Sequence, residues 1–228
     1  MATNTFVLVP GAGGHGAYWN RLVPALERHG HEAIAVDIPE HKPGAHLADW
    51  AGYVDRAIGG RPDVILVAQS LGGFLAPILD SQVRMIVFVN AMIPLPGETP
   101  NDWWGNTDSE QARVAAAEAD GRDIEFDLPS YFLHDLPPDA VADLMSGEAR
   151  APTDSAMADA CEFKSWPDVP IRVVVGRMDR FFPADFQCRV AKDRLGIDAD
   201  LIAGGHLVAL ANPDGLADLL DGYAAELT

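Results

Sequence analysis

The sequence predicts an α/β protein with a doubly wound, mostly parallel sheet of six strands. Short apolar, β-branched runs alternate with segments of helical length, and Gly-rich loops follow two of these runs. This alternation is typical of parallel strands that are joined by helices on both faces of the sheet. The predicted strands cover residues 6–9, 32–36, 64–67, 85–89, 171–175 and 199–202.

Helical patterns occupy most of the intervals between these strands. Trp19, Leu22 and Leu26 recur at helical spacing and predict a helix over residues 17–29. Pro213 predicts the start of the last helix, because proline is favoured in a first turn. Further helices are predicted over residues 47–58 and 184–195, and another is predicted to begin directly after residue 70.

The alternation of strands and helices stops between residues 95 and 166. An insertion of this size after a sheet strand predicts a helical cap over the carboxyl edge of the sheet, where doubly wound folds bind ligands. We therefore expect a core domain of residues 1–94 and 167–228, with residues 95–166 as the inserted cap. The helices predicted within it cover residues 107–120, with Thr107 and Glu110 as a capping box, and residues 138–145 and 154–163.

A serine follows the third predicted strand where a helix is expected to begin. Small residues, Ala68 and Gly72, stand two positions before and two positions after Ser70. In a nucleophile elbow this spacing lets a strained serine project its hydroxyl from the sheet without collisions across the turn. For Ser70 alone, a Gly-rich turn without catalytic function is an equal alternative, because the usual motif has glycine at position 68.

Two further polar residues follow later strands of the predicted sheet. Asp179 follows strand 171–175, and His206 follows strand 199–202. A serine hydroxyl needs an imidazole to accept its proton, and that imidazole needs a carboxylate that fixes its tautomer. Taken singly, Asp179 could be a turn residue and His206 could cap a loop. Their places at one sheet edge, in the chain order Ser, Asp, His, predict that they form a catalytic triad with Ser70.

The Gly-rich loop over residues 11–16 has two interpretations. Its glycines match the spacing of a dinucleotide-binding loop, and Asp37 follows the next strand as that fold requires. Beside a serine nucleophile, the loop is better interpreted as one side of an oxyanion hole. We predict the backbone amides of Ala12 and Leu71 as oxyanion donors, with Gly13 as the substitute if the loop register differs by one.

The composition argues against several classes of partner. Lys and Arg number 16 against 34 Asp and Glu, and the net charge of −18 disfavours nucleic acid and anionic membranes. No secretory signal is evident at the first residues, and Cys161 and Cys188 lack metal-ligand spacing. We expect a cytoplasmic protein with reduced thiols, no metal and no cofactor. A disulfide between the two cysteines and a homodimer stay open.

The stretch Phe6-Val-Leu-Val-Pro-Gly-Ala-Gly-Gly-His-Gly-Ala-Tyr-Trp19, together with the predicted triad, resembles the α/β-hydrolase superfamily. It looks like the branch that holds plant methylesterases, hydroxynitrile lyases and their small bacterial hydrolase relatives. The resemblance covers both ends of the chain and the central sheet, and it implies the α/β-hydrolase fold without its first two strands. Pro10 stands where a histidine is common in that branch, and Ala68 replaces the first glycine of the elbow.

The resemblance also bears on the reaction. Lyases of that branch carry a threonine in the first loop and a lysine after the catalytic histidine, whereas Gly11 and Leu207 occupy these positions here. The expected function is therefore a carboxylesterase-like serine hydrolase that cleaves a small neutral ester through an acyl-enzyme. A lactonase, thioesterase or carbon–carbon hydrolase with the same triad, a lyase, a dehydrogenase and a non-catalytic receptor are the alternatives. Candidate substrate contacts are Gly11, Trp103, Trp104, Tyr131, Phe132 and Leu207.

Overall fold

The computed structural model describes residues 3–147 and 150–227, which contain a six-stranded sheet. The strands are β1 (Thr5–Val9), β2 (Glu32–Ala35), β3 (Val64–Gln69), β4 (Met85–Val89), β5 (Ile171–Gly176) and β6 (Asp200–Ile202). They lie in the order β2-β1-β3-β4-β5-β6, and every pairing is parallel. The predicted fold class is confirmed.

Helices cover both faces of this sheet. They are α1 (Leu22–Arg28), α2 (Leu47–Ile58), α3 (Pro100–Thr107), α4 (Ser109–Ala119), α5 (Pro138–Ser146), α6 (Asp154–Met157), α7 (Ala184–Leu195), α8 (Val208–Ala211) and α9 (Pro213–Ala225). One apolar cluster packs α2 and α7 against the sheet, and a second packs α1, α8 and α9 against the opposite face. Strands β1, β3 and β4 are buried along their whole length, because both of their faces are covered.

The inserted segment, residues 95–166, contains α3 to α6 and a π-helical turn at Pro129–Leu133. A buried ion pair fastens it to the core: Glu98 binds Arg194 of α7, with a distance of 2.9 Å from Oε1 to Nη2, and the two side chains are 3% and 7% exposed. Removal of either partner would leave the other charge buried and unpaired. The division of the chain into core and cap domains stays a prediction.

The predicted capping box at Thr107 is wrong. Thr107 is the last residue of α3, and its hydroxyl donates to the carbonyl of Trp103 at 2.7 Å. The break before α4 falls at Asp108, whose φ of 56° ends the first helix in the left-handed conformation. The sequence pattern does not predict α3, which begins after Thr99 with the threonine hydroxyl accepting a hydrogen bond from the Asp102 amide.

Three other helices are shorter than predicted. Residues 17–29 form a 3₁₀ helix at Gly16–Trp19 followed by α1, and residues 154–163 form only the single turn of α6. After β3 the chain forms two 3₁₀ helices, Ser70–Phe74 and Ala76–Ile78. Pro77 lies in the second of these and lacks the N–H that an α-helix would use there.

The structure also bears on the cysteines and on membranes. Cys161 and Cys188 are free thiols, so the disulfide left open by the sequence does not form. The Cys161 thiol is buried and contacts the carbonyl of Phe74, and burial raises its pKa to about 12. In residues 3–147 and 150–227, we find no helix with the length and apolar character needed to span a bilayer.

Candidate active site

Ser70 lies at a sharp turn directly after β3. Its φ of 49° is in the left-handed region, which a non-glycine residue adopts only under constraint from its surroundings. The following glycines are required because the backbones touch. A Cβ on Gly73 would lie 2.1 Å from the carbonyl oxygen of Met92, and one on Gly72 would lie 2.4 Å from that of Pro10. The turn therefore has the geometry expected of a nucleophile elbow.

Ser70, His206 and Asp179 form a continuous chain of hydrogen bonds. Ser70 Oγ lies 3.2 Å from His206 Nε2, and His206 Nδ1 lies 2.8 Å from Asp179 Oδ2. The three residues follow β3, β6 and β5, whose carboxyl ends meet at one edge of the sheet. With the proton on Nδ1, His206 donates to the carboxylate and leaves Nε2 free to accept from the serine hydroxyl.

Asp179 is held by four hydrogen-bond donors. Its Oδ1 accepts from the backbone amides of Phe181 and Phe182, each at 2.9 Å, and its Oδ2 accepts from Gln187 Nε2 at 3.1 Å as well as from His206. The carboxylate is fully buried, with 0% side-chain exposure. Because both oxygens accept two hydrogen bonds each, the orientation of the carboxylate toward the imidazole is fixed by the surrounding structure.

Asn90 supports the loop that carries His206, a role that the sequence pattern does not reveal. It follows β4, is fully buried and has a φ of 46°. Its Nδ2 donates to the carbonyls of Gly205 and His206 at 2.9 and 3.1 Å, and its Oδ1 accepts from the Gly176 amide at 2.7 Å. The sequence signal was a polar residue at the end of a neighbouring strand, but its partners lie far away in the chain.

Three phenylalanine rings surround His206. The ring centroids of Phe132, Phe181 and Phe182 lie 4.8, 5.2 and 5.1 Å from that of the imidazole, all with edge-on geometry. These rings restrict the plane of the imidazole. They also exclude water, and a less polar environment strengthens the hydrogen bond to Asp179.

The predicted oxyanion amides differ in their availability. The Gly13 amide donates to Glu40 Oε2 at 2.8 Å, so it is already occupied. The Ala12 amide has no acceptor among the described residues. The Leu71 amide lies in the first turn of the 3₁₀ helix, where backbone N–H groups lack a partner within the helix. Ala12 and Leu71 can therefore donate to a bound group, whereas the substitute Gly13 cannot do so without losing its bond to Glu40.

The dinucleotide interpretation of the first loop does not fit this geometry. A Cβ on Gly11 would lie 2.7 Å from the Cβ of Ser70, so the loop packs against the elbow. Glu40 occupies the Gly13 amide, and a phosphate at this loop would meet that carboxyl group. Asp37 already accepts hydrogen bonds from the loop and from the inserted segment.

An apolar cavity of about 470 Å³ opens beside Ser70. Its walls come from the loops at the sheet edge and from the inserted segment, whose π-helical turn, α5 and α6 border it. Burial of a small apolar molecule here would be favourable because the walls are mostly carbon. Four of the residues predicted to contact substrate line the cavity, namely Gly11, Trp104, Phe132 and Leu207.

Trp103 and Tyr131 do not line the cavity, which corrects their prediction as substrate contacts. Trp103 is fully buried, and its Nε1 donates to the carbonyl of Ile93 at 3.1 Å. Tyr131 is 1% exposed, and its hydroxyl accepts from Arg113 and donates to the carbonyl of Asp123. Trp103 packs against Phe182 and Phe186 of the core, whereas Tyr131 packs within the inserted segment, where its hydroxyl finds both partners.

Fold and site together define a class of protein. A parallel sheet that carries a serine elbow, an aspartate and a histidine at its carboxyl edge, in that chain order, is the arrangement of the α/β-hydrolases. A family model described as the alpha/beta hydrolase family matches residues 6–219. The chain belongs to this family.

Curated relatives include a pyrethroid hydrolase of Sphingobium wenxiniae, which is 31% identical over 44% of this chain and 40% of its own length. Methylesterase 3 of Arabidopsis thaliana is 31% identical over 55% of this chain and 54% of its own length. Norfluorocurarine synthase 1 of Strychnos is 24% identical, with 96% of this chain and 94% of that protein aligned. The chain thus spans about half of two of these relatives and nearly all of the third.

Solved structures share the fold over almost the whole chain. Polyneuridine aldehyde esterase superposes with a TM-score of 0.78 and 17% identity, covering 98% of this chain and 100% of that one. A pyrethroid hydrolase from Sphingobium faniae gives a TM-score of 0.74 with 18% identity, and 98% of each chain is covered. At these identities the likeness establishes the fold, and the chemistry must be argued from the site.

Proposed function

We propose that this protein is a serine hydrolase that cleaves carboxylic esters. The observation that carries the proposal is the unbroken hydrogen-bond chain from Ser70 Oγ through His206 to Asp179 at the wall of an apolar cavity. A curated relative that is named as an esterase, methylesterase 3 of Arabidopsis thaliana, supports this reaction class. No cofactor or metal takes part in the proposed mechanism.

In the proposed mechanism Ser70 Oγ attacks the ester carbonyl carbon while His206 Nε2 takes the hydroxyl proton. The carbonyl oxygen becomes an oxyanion, to which the amides of Ala12 and Leu71 donate. Collapse of this intermediate expels the alcohol, which receives the proton from His206, and leaves an acyl-serine. Water then attacks the acyl-serine with His206 again as the base, which releases the acid and restores the hydroxyl. Asp179 keeps Nδ1 protonated and stabilises the imidazolium in both steps.

A hydroxynitrile lyase is less well supported. That reaction needs a hydroxyl on the first loop and a cation beside the histidine, according to the resemblance described above. Gly11 and Leu207 occupy these positions, and both line the cavity without offering a hydroxyl or a charge.

The cavity favours a small, neutral and largely apolar ester. Trp104, Phe132 and Leu207 supply apolar surface beside the proposed nucleophile. Arg150 also lies on the wall, but its guanidinium pairs with Asp37 at 3.1 Å and is thereby neutralised. The proposed partner is thus a small molecule, neither nucleic acid nor a membrane, and the proposed site of action is the cytoplasm.

Labelling by a fluorophosphonate probe, combined with turnover of p-nitrophenyl acetate and butyrate, tests the proposal. Wild type should be labelled and should hydrolyse both esters, whereas Ser70→Ala should do neither and His206→Ala should lose nearly all turnover. Ser81→Ala is the matched control, because Ser81 precedes β4 at the opposite edge of the sheet. A folded wild type that the probe does not label would refute Ser70 as nucleophile. Labelling without turnover of any ester would favour a receptor on this fold.

A further inference from the structure

Glu40 is a buried acid that the proposed mechanism does not use. It follows β2 and is 1% exposed. Its Oε2 accepts a hydrogen bond from the Gly13 amide at 2.8 Å, and no lysine or arginine in the described part of the chain forms an ion pair with it. A buried carboxyl group with one neutral donor and no counter-ion is costly, so its presence beside the oxyanion loop calls for a physical reason.

Glu40 belongs to a segment, residues 37–40, that holds the loop after β1. The Ile38 amide donates to the carbonyl of Gly14 at 2.8 Å, and the Gly16 amide donates to Asp37 at 3.1 Å. The bond from Gly13 to Glu40 is the innermost of these contacts, one residue away from the Ala12 amide. Segment 37–40 therefore supports the loop from Gly13 to Gly16, and Glu40 binds the residue next to Ala12.

The two segments are also in tight steric contact. Gly14 has a φ of 65°, and a Cβ there would lie 2.0 Å from the carbonyl oxygen of Ile38 and 3.0 Å from Cγ of Glu40. The loop backbone thus lies directly against the Glu40 side chain. A change in the size or charge of that side chain must therefore shift the backbone of the loop.

We propose that Glu40 is a positioning residue of the esterase: it binds the Gly13 amide so that the Ala12 amide stays directed at the oxyanion, and it does so as a neutral acid. This inference rests on the proposed function. Once the Gly13 amide is bound to Glu40, it cannot rotate into the site. Because the loop is then already ordered, no free energy is needed during the reaction to orient the Ala12 amide.

The neutral form matters because of where the charge would lie. Burial raises the pKa of Glu40 to about 8, and the hydrogen bond from Gly13 only partly opposes this effect. A neutral carboxyl adds no negative charge beside the developing oxyanion, whereas an ionised one would repel it in a poorly screened environment.

No neighbouring group is arranged to neutralise an ionised Glu40. Charged or titratable side chains on the adjoining segments are Asp37 and His41 on its own loop, His15 on the loop after β1, and Arg150 on the inserted segment. Arg150 is engaged by Asp37, and none of the four forms a hydrogen bond with Glu40. The kcat of the wild type should therefore fall, by about tenfold, as the pH rises through about 8.

Steady-state kinetics of p-nitrophenyl butyrate hydrolysis, measured on both sides of pH 8, test this proposal. Glu40→Gln keeps an oxygen acceptor for Gly13 and cannot ionise, so its kcat at neutral pH should stay within about threefold of wild type and should lack the alkaline fall. Glu40→Ala removes the acceptor and should lower kcat by roughly 10–100-fold with little change in KM. Glu32→Gln, at the amino end of β2, is the matched control and should behave as wild type.

A second measurement is independent of turnover. The amide NMR signal of Gly13 should titrate near pH 8 in wild type and not in Glu40→Gln. An unchanged kcat in folded Glu40→Ala, or an alkaline fall retained in Glu40→Gln, would overturn the inference while the esterase proposal stands. Failure of the fluorophosphonate to label wild type would instead reject the esterase, and with it the role of Glu40.

Discussion

Replacement of Asp179 by asparagine should lower kcat by about 10⁴-fold with little change in KM. The reason lies in the four donors around the carboxylate. Oδ1 accepts from the amides of Phe181 and Phe182 at 2.9 Å, so the amide oxygen of an asparagine must take this position. Its NH₂ group then replaces Oδ2 and faces two donors, His206 Nδ1 and Gln187 Nε2.

An NH₂ group at that position reverses the tautomer of His206. Nδ1 must lose its proton to accept from the asparagine, and Nε2 then carries the proton that faces Ser70 Oγ at 3.2 Å. A protonated Nε2 cannot accept the serine proton, so the reaction loses its base. The expected 10⁴-fold loss corresponds to about 5.5 kcal/mol of transition-state stabilisation.

Initial rates of p-nitrophenyl butyrate hydrolysis give kcat and KM for this variant, and urea unfolding shows whether it is folded. Gln187→Met serves as the control, because it removes one donor to Oδ2 and leaves the His206 tautomer unchanged. It should lose less than about tenfold in kcat. A loss of less than about tenfold in folded Asp179→Asn would refute the argument from the tautomer.

Three further predictions concern stability and the elbow. Arg194→Met should lower the free energy of unfolding, measured by urea unfolding, by about 3–5 kcal/mol, because Glu98 is left buried without its counter-ion. Adding Glu98→Gln to this variant removes the unpaired charge and should restore part of the stability. A double variant that is no more stable than Arg194→Met alone would contradict the prediction. The raised pKa of Glu40 means that the folded state holds a proton that the unfolded chain releases, so this contribution to stability is complete below pH 4.5 and is lost as the pH rises through about 8. The difference between the two pKa values corresponds to up to about 5 kcal/mol in the free energy of unfolding. Unfolding curves of Glu40→Gln, measured at several pH values, should lack this decline. Equal pH dependence in wild type and Glu40→Gln would argue against the prediction. Gly73→Ala should lower both Tm and kcat, since its Cβ would lie 2.1 Å from the carbonyl oxygen of Met92; thermal melts and ester turnover that match wild type would show that the turn can relax.

The core of the fold could be predicted because it depends on local patterns. The predicted helices over residues 47–58 and 184–195 coincide with α2 and α7, and the strand over residues 85–89 coincides with β4. These segments have apolar residues at the period of their own structure and lie against a continuous core. Local pattern and tertiary packing agree there, so either one suffices to locate the element.

The inserted segment was predicted less well because tertiary packing decides its helix ends. Thr107 and Glu110 have the spacing of a capping box, yet the Thr107 hydroxyl binds the carbonyl of Trp103 inside the preceding helix. Trp103 and Tyr131 were expected at the cavity because aromatic residues are common in binding sites. Their aromatic character fits an interior position equally well, and only the packing distinguishes the two.

The sequence by itself determined the fold class and the meeting of Ser70, Asp179 and His206 at one edge of the sheet. Each residue directly follows a buried strand, and the carboxyl ends of parallel strands meet wherever the sheet forms. Only the tertiary structure decided which loop amides are free and what holds the site in place. Glu40 reaches Gly13 across 27 residues and Asn90 reaches Gly205 across 115, and no local pattern encodes such contacts between buried polar groups.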